Sequence, residues 1–324
     1  MSTLTASLPG ARSPRLMRVA LQAGLPWIVL AVIAVLCVAV NPAFLTWSTI
    51  RLQLIQGALI GLVAIGETLA ILIGHIDLSI PWTITLSGIL ATNAYAAYPA
   101  AWVPFAVVIA VGAGVGVVNF LGIYGLRVHS LIWTLSVNLA LQGITLVYTN
   151  ATASAPVVPA AARTLALGVV GGIPVAAIVW AVCGAAVILA LRRLPFGRAV
   201  YAIGNNELVA LASGVRLGAT YIAVFVVSGL GAALVGLMLA GYASQAYLGM
   251  GNDYLLPPVA SVVIGGTRLS GGRGGYGGTI AGALSVVLLQ AMLVSLDVSQ
   301  GLREIIFGAI LLTLVFLFIR RGGP

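Results

Sequence analysis

The sequence predicts an all-α polytopic membrane protein with about ten transmembrane helices, some of them broken or re-entrant. Three observations lead there: the scarcity of charge, the length of the apolar runs and the placement of the arginines. Of 324 residues, 61% are hydrophobic and only 6% are charged, and the mean hydropathy is +1.16. A soluble chain carries roughly 25% charged residues. So few polar side chains cannot cover a surface facing water, and lipid must be the solvent. The net charge of +9 comes from 15 arginines and no lysine against six acids. The arginines are scattered between apolar runs rather than gathered on one face. That pattern suits a membrane-topology signal and argues against a nucleic-acid partner.

A helix that crosses the bilayer needs about 20 mainly apolar residues. Plausible spans fall at 21–41, 52–74, 79–98, 102–123, 130–149, 168–191, 220–243, 254–267, 277–296 and 302–319. The third is interrupted at its start by Asp77 and Pro81, and the eighth is short. No room is left for a soluble domain, so residues 1–324 are expected to form one transmembrane domain. An even number of crossings puts both termini on one side. Arginine-rich loops stay cytoplasmic. With the N-terminus inside, 12 arginines fall on the inner side and only Arg51, Arg163 and Arg303 on the outer. Residues 1–20 are then a cytoplasmic tail, and residues 192–219 the longest cytoplasmic loop. The apolar run after the tail is too long for a signal-peptide core and lacks a convincing cleavage site, so it is expected to be retained. Cys37 and Cys183 each sit in an apolar run as small hydrophobes and imply no disulfide.

Against this background the polar residues stand out. The stretch "LAILIGHIDLSI" at 69–80 places His75 and Asp77 at the end of an apolar run. A carboxylate inside the bilayer costs about 2.5–3.5 kcal/mol on insertion scales, so one is kept only beside a partner or a wet cavity. Asp77 precedes Ser79 and Pro81, which is helix-start chemistry, and is expected to accept backbone N–H bonds as an N-cap at a helix break. The alternative places it beside a solute path. His75 either fills a packing position or borders a cavity. A metal site or a general base would need further ligands, and no other histidine, cysteine or acid cluster supplies them; neither metal nor cofactor is expected.

In the span 130–149, Thr134, Asn138, Gln142, Thr145 and Thr149 recur at spacings of four, four, three and four, on one helical face. Polar atoms facing lipid go unsatisfied, so this stripe faces protein or water. Interhelical hydrogen bonding is one use. The preferred one is lining a path, with Trp82, Trp133 and Tyr148 adding aromatic surface. In the loop 192–219, "ELVALASG" follows Asn205 and Asn206 and reads as a short helix running from Glu207 and stopped by Gly214. Such a helix would expose Leu208, Val209, Leu211 and Ala212. That face suits docking in another protein's groove better than lying on the membrane surface. The run "GGTRLSGGRGGYGG" lacks the order of a phosphate loop. Its glycines point to a tight break or close backbone contact instead.

One internal similarity is present. Ile73-Gly74 and Leu78-Ser79 match Ile264-Gly265 and Leu269-Ser270, each with three residues between. Duplicated halves of transporters leave such traces, and so does chance in a chain rich in these residues.

Four stretches together resemble the permease subunit of bacterial ribose-type ABC importers for monosaccharides. The family's G-G-I-D-L-S-V-G corresponds to residues 74–81, with His75 in place of glycine and Ile80-Pro81 in place of Val-Gly. Its T-L-x-T block resembles Thr134-Leu135-Ser136, with Gly143 following and Gln142 where an arginine is common. Its G-R-x-x-x-A-I-G-x-N block, ending in S-G, resembles Gly197-Arg198, Ala202-Ile203-Gly204-Asn205-Asn206 and Ser213-Gly214. The customary E-A-A falls on Leu208-Val209-Ala210. The fourth is 262–284, close to V-V-I-G-G-T-S-L-S-G-G. The matches cover residues 61–315 in order.

The resemblance implies a type II ABC importer-like fold in the bacterial inner membrane and no ATPase site in this chain. It implies an ABC ATP-binding subunit docking on the short helix, a periplasmic substrate-binding protein and a second permease copy, identical or a paralogue. A sugar path would involve His75, Asp77, Trp82, Thr134, Asn138 and Gln142. A branched-chain amino acid permease is the nearest alternative. An ion-coupled carrier would want an intramembrane acid, for which Asp77 alone offers itself, and a membrane-embedded enzyme would want a nucleophile–base pair.

Overall fold

The computed structural model describes residues 14–151 and 157–299, with 301–303, 305, 306, 308 and 309; side chains are described from residue 24 and not at 151. The helices are α1 (Pro14–Val40), α2 (Trp47–Leu72), α3 (Ile80–Ala97), α4 (Val103–Phe120), α5 (Ser130–Ala151), α6 (Ala160–Leu167), α7 (Val175–Arg193), α8 (Pro195–Asn205), α9 (Glu207–Ala212), α10 (Leu217–Ala243), α11 (Pro257–Ile264) and α12 (Tyr276–Ser295). The chain is an all-α polytopic membrane protein. Among the described residues, six helices are long and apolar enough to cross a membrane: α2, α4 with the π turn that continues it to Gly125, α5, α7, α10 and α12.

The spans expected at 21–41 and 79–98 form α1 and α3, neither of them among these six, and two further spans differ in form. The span expected from 168 begins as a two-stranded hairpin, β1 (Val169–Val170) paired with β2 (Ile173–Pro174). Gly171 and Gly172 both take positive φ in its turn, and helix α7 starts only at Val175. The eighth span shrinks to the eight residues of α11. At 1.5 Å per residue it rises about 12 Å, less than half of a hydrocarbon core. The tenth, 302–319, falls mostly outside the described residues, as does most of the tail 1–20.

The centre is built on α2 and α10. Every residue of α2 from Gly57 to Leu72 is buried, and α10 packs against α2, α3 and α4. Without a hydrophobic driving force between helices in lipid, close contact depends on small residues. A Cβ on Gly112 of α4 would strike the backbone of Gly229 and Leu230 on α10, and one on Gly116 would strike Phe225 and Val226. The outer faces are apolar and open: Val35 on α1, Ile132 and Leu139 on α5, and Val182 on α7 are all exposed. That is the surface of a chain solvated by lipid.

The two similar stretches lie against each other, with the Gly272 N–H donating to the Leu72 carbonyl at 2.9 Å. Both follow a helix that ends on a left-handed glycine. Gly74 and His75 donate back to Ile71 and Ala70, and Gly266 and Thr267 donate back to Val263 and Val262. The left-handed glycines are thus Gly74 and Gly266, one position out of step with the sequence match of Gly74 to Gly265.

Candidate functional site

Between the end of α2 and the start of α3 the chain turns back into the protein. Asp77 is the hub of this break. Its Oδ1 accepts hydrogen bonds from Ser79 N (3.0 Å), Ser79 Oγ (2.6 Å) and Asn119 Nδ2 (3.2 Å), and its Oδ2 accepts one from Ser228 Oγ (2.7 Å). The carboxylate is 2% exposed, so these donors replace water completely. The N-cap of α3 is Ser79, whose side chain makes no capping bond. Asp77 acts two residues earlier and joins the break to α4 through Asn119 and to α10 through Ser228.

A second acid lies beside it. Glu67, inside α2, is fully buried, and its Oε2 accepts the Asp77 N–H at 3.4 Å. Its Oε1 and the Oδ1 of Asn119 have no hydrogen-bond partner. Asp77 is therefore not the sole acid within the apolar region, and this corrects the expectation drawn from the sequence. The signal was available: Glu67 lies within the apolar run 52–74. Asn119 and Ser228 carried no such signal.

The polar stripe on α5 serves the start of α3. Thr134 Oγ1 accepts the Leu78 N–H at 2.9 Å, and Asn138 Oδ1 accepts the Trp82 N–H at 3.2 Å. Leu78 lies just before the N-cap Ser79, and Trp82 lies in the first turn of α3, where amides have no partner within the helix. Thr145 and Thr149 turn back on their own helix, bonding the carbonyls of Leu141 and Thr145. Gln142 is half-buried. Trp82 is buried among Leu86, Val115 and Leu141, and Trp133 donates to the Val118 carbonyl at 3.1 Å while lying over Gly122. His75 is half-buried. Its Nε2 lies 3.0 Å from the Tyr221 hydroxyl, and its ring meets that of Tyr221 edge-on at 5.3 Å.

The short helix expected over 207–214 is present as α9. Asn206 is its N-cap, with Oδ1 accepting the Val209 N–H at 3.0 Å. Gly214, at φ +80°, ends it, with return bonds from Gly214 N to Leu211 O and from Val215 N to Ala210 O. Ala210 is buried and seats the helix, while Leu208 (78% exposed), Val209 and Leu211 face outward. Glu207 opens the helix and pairs with Arg127 at 3.3 Å. Beside it, Asn205 Nδ2 donates to the carbonyls of Tyr201 and Gly272. Tyr201 donates its hydroxyl to the Gly274 carbonyl at 2.9 Å. Burial pushes that hydroxyl above its ordinary range, against the lowering effect of Arg192. The α8–α9 segment is therefore fastened to the glycine-rich turn that follows α11.

A buried break in an apolar bundle, joined at its arginine-rich end to a capped helix with a bare apolar face, is the frame of a multi-pass membrane protein, and comparison with known proteins assigns its class. The family described as the permease component of the branched-chain amino acid transport system matches residues 49–315, and the chain belongs to it. The chain is 32% identical to the ribose import permease protein RbsC of Haemophilus influenzae over 89% of its own length and 90% of that protein's. It is 33% identical to the RbsC of Bacillus subtilis over 90% and 91%. It is 29% identical to the D-allose transport system permease protein AlsC of Escherichia coli over 89% of each. No solved structure matches it.

Proposed function

We propose that this chain is the permease subunit of an ATP-driven importer and forms the membrane path for a monosaccharide. The observation that carries the reading is α9. Its ends are fixed by Asn206 and Gly214, yet Leu208, Val209 and Leu211 are left largely exposed among the described residues. Such a face is built to sit in a partner's groove. That partner is a separate ATP-binding subunit, with residues 192–219 as the coupling loop. The arginine bias supports an orientation with both termini and this loop in the cytoplasm. A periplasmic binding protein delivers the sugar, and a second permease copy completes the path. The relatives that this chain matches over about nine-tenths of its length are named for ribose and allose, which favours a sugar over a branched-chain amino acid.

In this reading the break at 73–79 and the start of α3 border the path. His75, Asp77, Trp82, Thr134 and Asn138 contribute chiefly by holding the bend in shape, and Gln142 continues the same face of α5. Leu211→Asp tests the docking role, because it would bury an unpaired charge at the contact, a cost of several kcal/mol. The variant is expected to reach the membrane folded but to lose the ATP-binding subunit on purification. Retention of that subunit at the wild-type level would remove the docking role.

A further inference from the structure

The two parts of the site are not isolated from each other. Glu207, the first residue of α9, pairs with Arg127 at 3.3 Å. Arg127 takes φ +58° at the end of the turn after α4, and its guanidinium lies 5.4 Å from the centre of the Tyr124 ring. The Tyr124 ring is 5.1 Å from that of Tyr221 on α10. The Tyr221 hydroxyl meets His75 Nε2 at 3.0 Å, and Glu207 is close enough to the same hydroxyl to interact with it. His75 is itself pinned, since its backbone N–H closes the end of α2 on Ala70, two residues before Asp77. The chain of contacts runs without a gap from the surface helix to the break.

These contacts differ in kind from the packing around them. An ion pair, an arginine over a ring, a ring edge and a hydroxyl–imidazole bond are directional, whereas apolar side chains can slide. A movement of α9 that displaces Glu207 must either carry Arg127 and Tyr221 with it or break these bonds. We propose that Glu207, Arg127, Tyr124, Tyr221 and His75 form the mechanical link that transmits displacement of α9 to the helix break at 73–79. The inference rests on α9 being the docking helix for the ATP-binding subunit. Within it, Arg127 and Tyr221 are positioning residues, placed in neither the path nor the docking face.

The test reads transmission directly and needs no knowledge of the sugar. Cys37 and Cys183 are replaced by alanine, and Ile76→Cys provides a half-buried reporter within the break. Its rate of maleimide labelling is compared in the complex with the ATP-binding subunit, first without nucleotide and then trapped with ATP and vanadate. The parent complex is expected to change rate on trapping by about tenfold, the equivalent of one strong hydrogen bond gained or lost.

Tyr221→Phe removes one hydroxyl and Arg127→Gln one exposed charge. Both are expected to retain the ATP-binding subunit and ATP hydrolysis while their labelling changes by less than about twofold on trapping. The double variant is expected to lose no more than either single one, as members of one linkage do. Arg127→Lys, which keeps the charge, is expected to restore most of the response. A full tenfold response in both Tyr221→Phe and Arg127→Gln would overturn the link and leave the docking role intact. An ATP-binding subunit that stays bound to Leu211→Asp would overturn the docking role, and the link with it.

Discussion

At Asp77, four hydrogen bonds from three residues on three elements end on one buried carboxylate. Each buried donor left without an acceptor costs about 1–3 kcal/mol. Asp77→Ala is therefore expected to lower the stability of the detergent-solubilised protein by several kcal/mol, more than the loss of an ordinary helix cap. A melting temperature equal to wild type would contradict this. Glu67 behaves differently, because one of its oxygens has no partner and it shares its surroundings with Asp77. Glu67→Gln keeps the shape and an acceptor for the Asp77 N–H while taking a second acid away from Asp77, so it is expected to melt at or above the wild-type temperature. Glu67→Ala removes that acceptor and leaves a cavity, and is expected to melt lower. The reverse order would show that the carboxyl group itself is needed. His75 and Asp77 were visible in the sequence because they interrupt an apolar run just where helix-start residues follow. Asn119 and Ser228 were not, since they lie 42 and 151 positions from Asp77 and only the packing of α4 and α10 brings them to it.

Elements were readable where local chemistry determines them. Asn206 and Gly214 delimit α9 by capping rules that need no tertiary context, and the helix lies where they put it. The start of α7 was not readable from hydropathy alone. Val169, Val170 and Ile173 continue the apolar run, and the left-handed Gly171 and Gly172 between them decide for a hairpin. The polar stripe of α5 was readable as a stripe. That Thr134 and Asn138 would be taken up by the amides of Leu78 and Trp82 was not, because it depends on the depth at which α3 begins. Close approach between elements gives a prediction at this scale. A Cβ on Gly204 of α8 would collide with the Leu72 carbonyl and the Gly272 amide, which bond to each other at 2.9 Å. Gly204→Ala is expected to cost about 1–3 kcal/mol by forcing these backbones apart. A variant with wild-type stability would mean that α8 is free to shift away from the end of α2.

For the whole molecule, composition alone revealed the solvent: 6% charge leaves lipid as the medium, and the exposed apolar faces of α1, α5 and α7 agree. The structure adds a division of labour between α2 and α10, buried almost all round, and the break and surface helix attached to them. The acids inside the bundle sharpen one choice. Glu67 and Asp77 would suit an ion-coupled carrier, but the Asp77 carboxylate is already occupied by protein donors, and the exposed face of α9 suits the partner proposed above. The central claim is that ATP hydrolysis on another chain drives this path. It is tested most directly in proteoliposomes containing the permease and its ATP-binding subunit, with the cognate binding protein outside, by measuring uptake of D-ribose, D-allose and L-arabinose. Uptake is expected for at least one of these sugars when ATP is enclosed in the vesicles, and for none when a proton or sodium gradient is imposed without ATP. Sugar accumulation driven by either gradient in the absence of ATP would contradict the account.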